Sequence, residues 1–339
     1  MNFYKRTAHA KKILVLDLGF LGDTVHLLPA LWMIRQAYPE AKLHVVVSEH
    51  ITSLMKCVPW VDFTWGYMRY PRHATFLENL TIVSKLRKEK YDAVINFSGS
   101  DRSSWLSFLS GAPERLGRVT RRGKRFLSNI LFTENIFQPF DQEPIYLQSC
   151  HCLEKAGFPH SEPQFNTSIE GPYLKELGIS TADEHRYFHI SPFTTADKKE
   201  LDPSQLKELI DSLQSTYPDQ KIILSCASHE RELKKMDLLL RTLNNPPWKV
   251  FPGTLNLVQL TAVIQASSAH LSGDTGTLHL AVMTNTPSLS WFQPLPSKDW
   301  LPIDKKHTVI TGSGLNSQGF LTGIDISTIL QSTQQLLRK

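Results

Sequence analysis

Short apolar runs alternate with longer segments of helical spacing along the first half of the chain. Residues 13–16, 43–47 and 93–97 form apolar runs that are typical of buried parallel strands. The apolar residues from 25 to 37 recur at helical spacing, and the pattern over 76–90 predicts a further helix. Strands that alternate with helices in this way favour a parallel sheet with helices on both faces.

The alternation stops over residues 157–184, a stretch rich in proline and glycine that we interpret as a linker, and then begins again. After it, the pattern predicts strands over 187–190, 222–225, 249–251, 269–272 and 287–291, and helices over 203–217, 230–243 and 257–266 and from 275. The predicted fold class is α/β, with two doubly wound Rossmann-like parallel-sheet domains that face a cleft. The predicted domains are residues 1–170 and 171–325, and a last helix within 326–339 could pack back onto the first domain.

The composition is that of a soluble globular protein. A chain of 339 residues with 41% hydrophobic and 20% charged residues can form two domains, each with its own core. No apolar run approaches the roughly 18 residues that a membrane-spanning helix needs, and the run 13–16 is too short for a signal peptide. We therefore expect a cytoplasmic protein. The net charge of +5 favours acidic partners.

The four cysteines predict neither a disulfide framework nor a metal centre. They fit a reducing compartment. The triplet Cys150-His151-Cys152 contains metal ligands, but no second ligand pair follows at zinc spacing. Packing within a helix is the simpler explanation, and we expect no metal or other cofactor.

The stretch 272–281 predicts a strand, a tight turn and the start of a helix. Asp274 can cap this helix, and the amides of Thr275, Gly276 and Thr277 have no partners within it. Such amides and the positive end of the helix dipole attract phosphate. Thr275 and His279 are four residues apart and share one helix face. The turn therefore predicts a diphosphate site, although an ordinary capped helix with a half-buried histidine would show the same pattern.

A second loop follows the first strand of the second domain, at the same predicted edge of the sheet. Thr194, Thr195 and Lys199 provide two hydroxyl groups and a cation that can hold phosphate oxygens. Threonine and lysine are common in loops. The prediction therefore depends on the position of this loop beside the turn at Asp274.

The loop after the first strand of the chain places Asp23 at the start of a helix. Asp23 either caps this helix or acts as a general base that faces the cleft. A helix N-terminus is expected to lower the pKa of the carboxyl group and keep it ionised. The pattern Gly19-x-x-Gly22 lacks the third glycine and the acidic residue of a dinucleotide site, which disfavours a dehydrogenase.

Basic residues gather between residues 99 and 142, where the alternation of strands and helices is lost. They are Arg102, Arg115, Arg118, Arg121, Arg122, Lys124 and Arg125. They form either a solvated loop or a site for a phosphorylated or carboxylated partner, because the stretch follows the carboxyl end of a predicted strand. No nucleic-acid-binding motif accompanies them, and we expect no nucleic-acid partner.

Two motifs together resemble glycosyltransferase family 9, which is typified by the lipopolysaccharide heptosyltransferases. The first is Gly22-Asp23-Thr24-Val25-His26 with Pro29-Ala30-Leu31. The second is Asp274-Thr275-Gly276 with His279-x-Ala281. They occur in the right order and at the right separation, and the resemblance covers nearly the whole chain.

The resemblance implies a GT-B fold, with ADP-heptose bound by the second domain and an inner-core lipopolysaccharide acceptor, Kdo or heptose, bound by the first. It implies an inverting transfer that needs no metal, with Asp23 as the catalytic base. The implied donor-binding residues are Thr194, Thr195, Lys199, Glu230, Leu255, Asp274, Thr275, Gly276 and His279. Glu230 would bind the ribose and Leu255 would pack on the adenine. We expect Arg118, Arg121 and Arg122 to bind the acceptor, and peripheral contact with the inner membrane would follow from a lipid A-linked acceptor.

Some residues depart from the family pattern. Asp17 stands where many members have lysine or arginine, and Ala196 stands where a charged residue is frequent. The alternatives are a transferase that uses another nucleotide sugar, or a protein or other glycan as acceptor, and a catalytically silent nucleotide-binding module. The presence of Asp23 argues against the silent module.

Overall fold

The computed structural model describes residues 1–69, 72–120, 130–139, 143–165, 167–294, 300 and 305–338. The chain forms two compact units, Met1–Phe165 and Asn166–Lys339. The boundary between them lies inside the stretch interpreted as a linker, close to the expected boundary at residue 170.

The first unit is built on a parallel sheet with the strand order β3-β2-β1-β4-β5-β6. Its strands are β1 (Lys12–Leu16), β2 (Lys42–Ser48), β3 (Phe63–Tyr67), β4 (Ala93–Asn96), β5 (Glu114–Val119) and β6 (Glu134–Phe137). The sequence pattern predicts β1, β2 and β4, which are almost wholly buried. It misses β5, whose sequence contains three charged residues among six, and it misses β3 and β6, which lie at the two edges of the sheet and are partly exposed. Edge strands lack the continuous apolar run that marks a central strand.

The helices of the first unit pack against the apolar strands of the sheet. They are α1 (Phe3–Arg6), α2 (Leu21–His26), α3 (Leu28–Ala37), α4 (Thr52–Met55), α5 (Phe76–Lys88), α6 (Asp101–Leu109) and α7 (Ile145–Lys155), with a 3-10 turn at Glu49–Ile51. Leu14, Leu16, Val46 and Val94 form a buried core with Leu86 of α5. Cys150 and Cys152 are buried in α7, as expected from packing within a helix.

The second unit repeats this plan with the order β12-β11-β10-β7-β8-β9, again parallel. Its strands are β7 (Tyr187–Ser191), β8 (Lys221–Cys226), β9 (Lys249–Pro252), β10 (Ala269–Gly273), β11 (Ser288–Phe292) and β12 (His307–Thr311), and a small hairpin consists of β13 (Gly314–Leu315) and β14 (Leu321–Thr322). In both units the strand order reverses at one central pair, β1 with β4 and β7 with β10. Ligands of such sheets bind outside the carboxyl ends of the strands at this switch point.

The last helix belongs to the core of the second unit. The helices of this unit are α8 (Tyr173–Glu176), α9 (Pro203–Thr216), α10 (Glu230–Thr242), α11 (Leu257–Gln265), α12 (Gly276–Met283) and α13 (Ile326–Leu337), with 3-10 turns at Thr181–Asp183 and Asp197–Lys199. Ile326, Ile329 and Leu336 of α13 are buried with Leu206 and Leu209 of α9. Its apolar face therefore completes the core of the second unit, and packing of this helix onto the first domain stays a prediction.

No helix in the described part of the chain is both long enough and apolar enough to cross a membrane.

Candidate functional site

The first unit has a cavity of about 220 Å³ at the switch point of its sheet. Its lining comes from the loop after β1, the segment after β4, strand β5 and helix α7. The lining residues are Asp17, Gly19, Phe20, Asp23, His26, Arg69, Phe97, Ser98, Ser100, Arg118, Ile145 and Ser149. The predicted base Asp23 therefore lies in a polar pocket at the carboxyl edge of the sheet.

Asp23 both caps its helix and lines this cavity. The amide of Phe20 donates a hydrogen bond of 2.8 Å to Oδ2 of Asp23 at the start of α2. Burial raises the pKa of Asp23, against the lowering effects of the Phe20 amide and of Arg69 and Arg118. The expectation of a lowered pKa is wrong, because removal of the carboxylate from water outweighs the helix N-terminus. A carboxylate with a raised pKa is a stronger base.

Arg118 is the member of the predicted acceptor-binding set that the structure describes. It lies in β5, not in a solvated loop, and its guanidinium group is buried. Its Nη2 atom donates a 2.5 Å hydrogen bond to Gln148, and its Nε atom donates to the carbonyl of Gln138 at 3.3 Å. Burial lowers the pKa of Arg118. The predicted partners Arg121 and Arg122 lie outside the described residues.

The second unit has a larger cavity, of about 390 Å³, at the carboxyl edge of β7, β8 and β9. Its lining includes Ser191, Phe193, Thr195, Ser225, Cys226, Ser228, His229, Glu232, Leu255, Leu257, Leu260, Thr275 and Thr277. Three predicted donor-binding residues, Thr195, Leu255 and Thr275, are thus brought together. The cavity is apolar beside Leu255 and polar beside the two threonines.

The loop that contains Thr194 and Thr195 is held by two ion pairs to a buried glutamate. Glu200 is 1% exposed and accepts hydrogen bonds of 2.7 Å from both Arg231 and Lys235 of α10. The Thr194 amide donates to Glu200 at 2.7 Å, and the Thr194 hydroxyl donates to the carbonyl of Ala196 at 2.9 Å. Thr194 therefore forms hydrogen bonds within the loop that fix its conformation, whereas the exposed Thr195 lines the cavity.

The turn after β10 packs closely against this loop. A Cβ atom at Gly273 would lie 2.6 Å from the carbonyl oxygen of Lys199 and 2.9 Å from Cγ2 of Thr194, so only glycine fits. The Nζ atom of Lys199 forms an ion pair of 2.5 Å with Oδ2 of Asp274. Asp274 thus binds a lysine of the neighbouring loop, and α12 begins after Thr275 without a side-chain cap.

The start of α12 borders the cavity and contains the predicted Gly276. His279 is buried one turn further on, with its ring centroid 5.7 Å from that of Trp300. Burial lowers the pKa of His279 to about 4, so the ring is neutral at physiological pH. Because the His279 ring is neutral, the positive charge of this region comes from Lys199 and from the N-terminus of α12.

Behind the cavity, two buried histidines form a hydrogen-bonded chain that sequence reasoning missed. His189 and His270 face each other across β7 and β10, with their Nδ1 atoms 2.9 Å apart. His270 Nε2 lies 3.1 Å from the hydroxyl of Thr277, and His189 Nε2 lies 2.9 Å from that of Ser225. Thr277 and Ser225 line the cavity. Histidine in two predicted buried strands was the signal that could have revealed this chain.

Glu230, the predicted ribose ligand, is not part of the cavity. Its side chain is 81% exposed and pairs with Lys234 on the outer face of α10. Glu232 lies in the cavity wall instead, where it is buried and accepts a 2.8 Å hydrogen bond from the amide of Ala227. The first residues of a helix point in different directions, and α10 turns Glu232 inward.

The two units, each a doubly wound parallel sheet with a cavity at its switch point, define the GT-B fold of glycosyltransferases. Solved structures agree with this assignment. E. coli ADP-heptose lipopolysaccharide heptosyltransferase II superposes with a TM-score of 0.80 at 18% identity, over 96% of this chain and 98% of that one. E. coli heptosyltransferase WaaC, solved with ADP-2-deoxy-2-fluoro heptose, gives a TM-score of 0.76 at 19% identity, over 96% and 99% of the two chains.

The sequence comparisons identify the family. The model of glycosyltransferase family 9 (heptosyltransferase) matches residues 80–320, and the chain belongs to this family. The lipopolysaccharide core heptosyltransferase OpsX of Haemophilus influenzae is 25% identical over 304 residues, which cover 88% of this chain and 84% of that protein. Family membership makes the protein a glycosyltransferase and supports heptose transfer in lipopolysaccharide synthesis in general.

Proposed function

We propose that the protein transfers heptose from ADP-heptose to a Kdo or heptose residue of the lipopolysaccharide inner core, with inversion at the anomeric carbon. The observation that supports this most directly is the position of Asp23, a half-buried carboxylate in a polar cavity at the switch point of the first sheet. In an inverting transfer, the acceptor oxygen attacks the anomeric carbon while a base removes its proton. Asp23 is the proposed base.

The cavity of the second unit is the proposed donor site. Leu255 provides an apolar wall for the adenine, and Glu232 provides a carboxylate for the ribose hydroxyl groups. Thr195, Thr275 and the amides at the start of α12 would then lie at the diphosphate. WaaC was solved with ADP and with an ADP-heptose analogue, which favours ADP-heptose over other nucleotide sugars for this chain.

Lys199 and the N-terminus of α12 are proposed to stabilise the departing ADP. Negative charge grows on the diphosphate as the glycosidic bond breaks, and fixed positive charge at that position lowers the barrier. The ion pair with Asp274 holds the ammonium group of Lys199 near the helix start. We therefore propose a transfer that needs no metal, which predicts full activity in the presence of EDTA.

The cavity around Asp23 is the proposed acceptor site. Arg69 and Arg118 provide positive charge, and Ser98 and Ser100 provide hydroxyl groups. The carboxylate of Kdo would pair with the two arginines, and its hydroxyl groups would form hydrogen bonds with the two serines. The proposed contacts of Arg121 and Arg122 with the acceptor remain predictions from the sequence.

A lipid-linked acceptor requires the enzyme to work beside a membrane, and we propose that the first unit provides the contact. On α5, Phe76, Leu77 and Leu80 are 75%, 72% and 50% exposed. Trp105 and Phe108 are exposed on the neighbouring α6. The last turn of α5 contains three basic residues, which suit an anionic lipid surface. Leu77→Gln with Leu80→Gln should reduce sedimentation with phosphatidylglycerol vesicles, whereas Leu238→Gln, at an exposed leucine of the second unit, should not.

The decisive test of the proposed reaction is Asp23→Asn, assayed with purified ADP-heptose and core acceptor. Loss of a general base typically slows a reaction about 10² to 10⁴-fold. We expect such a loss in kcat with little change in the affinity for ADP. Glu40→Gln, at an exposed carboxylate of the same unit, is the control. Transfer by Asp23→Asn at the wild-type rate would exclude Asp23 as the base. If the wild type used a UDP- or GDP-sugar faster than ADP-heptose, that result would favour the alternative donors.

A further inference from the structure

The turn after β1 holds two carboxyl groups, not one. The amide of Gly19 donates a 2.7 Å hydrogen bond to Oδ1 of Asp17, and the next amide, that of Phe20, donates a 2.8 Å hydrogen bond to Oδ2 of Asp23. Both side chains line the same cavity. Because consecutive amides bind them, the two carboxyl groups have a fixed position relative to each other.

Gly19 makes this arrangement possible. A Cβ atom at this position would lie 2.3 Å from Cβ and 2.7 Å from Oδ2 of Asp23. Such contacts are far below van der Waals distance, so any larger residue would push the turn away from Asp23. The close approach brings the amide that holds Asp17 against the side chain of Asp23.

The surroundings of the pair favour one bound proton. Asp17 is the deeper group, at 8% exposure, and burial together with the negative charge of Asp23 raises its pKa to about 7. The Gly19 amide, Arg118 and Arg69 oppose this shift. Two neighbouring carboxyl groups that both lose contact with water titrate as a pair, in separate steps.

Other titratable groups lie next to these arginines and to the cavity. His26 lines the cavity, and Glu143 and Cys152 face Arg118. Burial raises the pKa of the Cys152 thiol to about 12, so this group is neutral. Burial raises the pKa of Asp17 to about 7, so this carboxyl group changes its protonation near neutral pH.

We propose that Asp17 is a positioning residue for glycosyl transfer: Asp17 and Asp23 share a single proton, Asp17 carries it, and Asp23 remains the carboxylate that acts as base. This inference rests on the proposed function. The O–H bond of the acceptor breaks and its proton passes to Asp23, while the acceptor oxygen bonds to the anomeric carbon. The bond from that carbon to the diphosphate breaks, and its electron pair leaves with ADP. The protonated Asp17 donates a hydrogen bond within the pocket that orients the base and the acceptor hydroxyl.

The pH dependence of kcat/KM tests this role. The wild type should lose activity as the pH rises through about 7, because Asp17 then loses its proton. Asp17→Asn keeps an uncharged side chain and an oxygen for the Gly19 amide. This variant should be less active than the wild type at pH 6, far more active than Asp23→Asn, and free of the decrease above pH 7. The same alkaline decrease in Asp17→Asn would overturn the proposal.

Asp92, which directly precedes β4, provides a matched control at the opposite end of the sheet. Asp92 accepts hydrogen bonds from the amides of Lys11 and Lys12 at 2.8 and 2.9 Å, outside the cavity. Asp92→Asn removes an amide-bound carboxylate and should keep the alkaline decrease of the wild type. Loss of that decrease in Asp92→Asn would also contradict the proposal.

A second measurement is independent of activity. Titration of the carboxyl carbons by ¹³C NMR should show a lower pKa for Asp17 in Asp23→Asn than in the wild type, because the neighbouring negative charge is gone. An unchanged pKa would overturn the carboxyl pair even if Asp23→Asn is inactive. Conversely, a lowered pKa together with an active Asp23→Asn would support the pair and contradict the proposed base.

Discussion

The Nζ atom of Lys199 lies 2.5 Å from Oδ2 of Asp274, which joins the loop after β7 to the turn after β10. These two segments follow the strands at which the sheet order reverses. The ion pair is about one-third exposed, so its own contribution to stability is small. Its consequence is the placement of a cation beside the N-terminus of α12.

Lys199→Gln should weaken the binding of ADP. The variant removes a charge-assisted contact with the diphosphate, and such contacts contribute about 1.5–3 kcal/mol, or roughly 10-fold to 150-fold in Kd. Isothermal titration calorimetry with ADP measures this change. Lys198→Gln, at the exposed lysine beside it, is the control and should bind ADP as the wild type does. Equal affinity of the two variants would show that Lys199 does not contact the diphosphate.

The two glutamates at the start of α10 should differ in their effect on nucleotide binding. Glu232→Gln alters a buried cavity wall and should reduce the affinity for ADP several-fold, by about 1 kcal/mol. Glu230→Gln removes an exposed partner of Lys234 and should leave it unchanged. Adenosine binding, measured by competition against ADP, separates a ribose contact from a phosphate contact. A larger loss of affinity in Glu230→Gln than in Glu232→Gln would instead assign the ribose contact to Glu230.

Gly273→Ala should destabilise the second unit. The new methyl group would lie 2.6 Å from the Lys199 carbonyl, and overpacking of this kind typically costs about 1–3 kcal/mol. Chemical denaturation gives the free energy of unfolding. In Gly314→Ala the nearest atom would be 3.7 Å away, so this variant should be close to the wild type. If Gly273→Ala were as stable as the wild type, the loop 194–199 would have shifted to accommodate the methyl group without cost, which would contradict this prediction.

Stability should decrease in mild acid because of the buried histidines. Burial lowers the pKa of His270 to about 3 and that of His189 well below its usual value. Below pH 6.5 the unfolded chain binds protons that the folded chain does not, so this stability is present above pH 6.5 and is lost as the pH falls towards 3. One such histidine costs about 2 kcal/mol at pH 5 relative to pH 8.

The free energy of unfolding, measured from pH 8 to pH 5, tests this dependence. His270→Asn should make the slope shallower, by at most about 1.4 kcal/mol per pH unit for one proton. His9→Asn, at an exposed histidine, should leave the slope unchanged. A wild-type stability that does not change between pH 8 and pH 5 would contradict the prediction.

The sequence by itself determined most of the central strands and the two glycine-bearing turns. β1, β2, β7, β8 and β10 are short apolar runs, and their signal is local because both faces of each strand are buried. The turns at Asp23 and Asp274 follow such strands directly. Their place at the carboxyl edge of a parallel sheet therefore follows from chain order.

Only the tertiary structure decided which side chains meet there. The sequence places Arg118 in a basic stretch for which no strand is predicted. In the structure it lies in β5, which buries it near Asp17 and Asp23. The pairing of His189 with His270 depends on strand register, and the burial of Glu232 depends on how α10 packs. Solvent exposure and the distances between residues far apart in sequence fix these contacts and the pKa values that follow from them. Neither quantity is encoded in any local stretch of the chain.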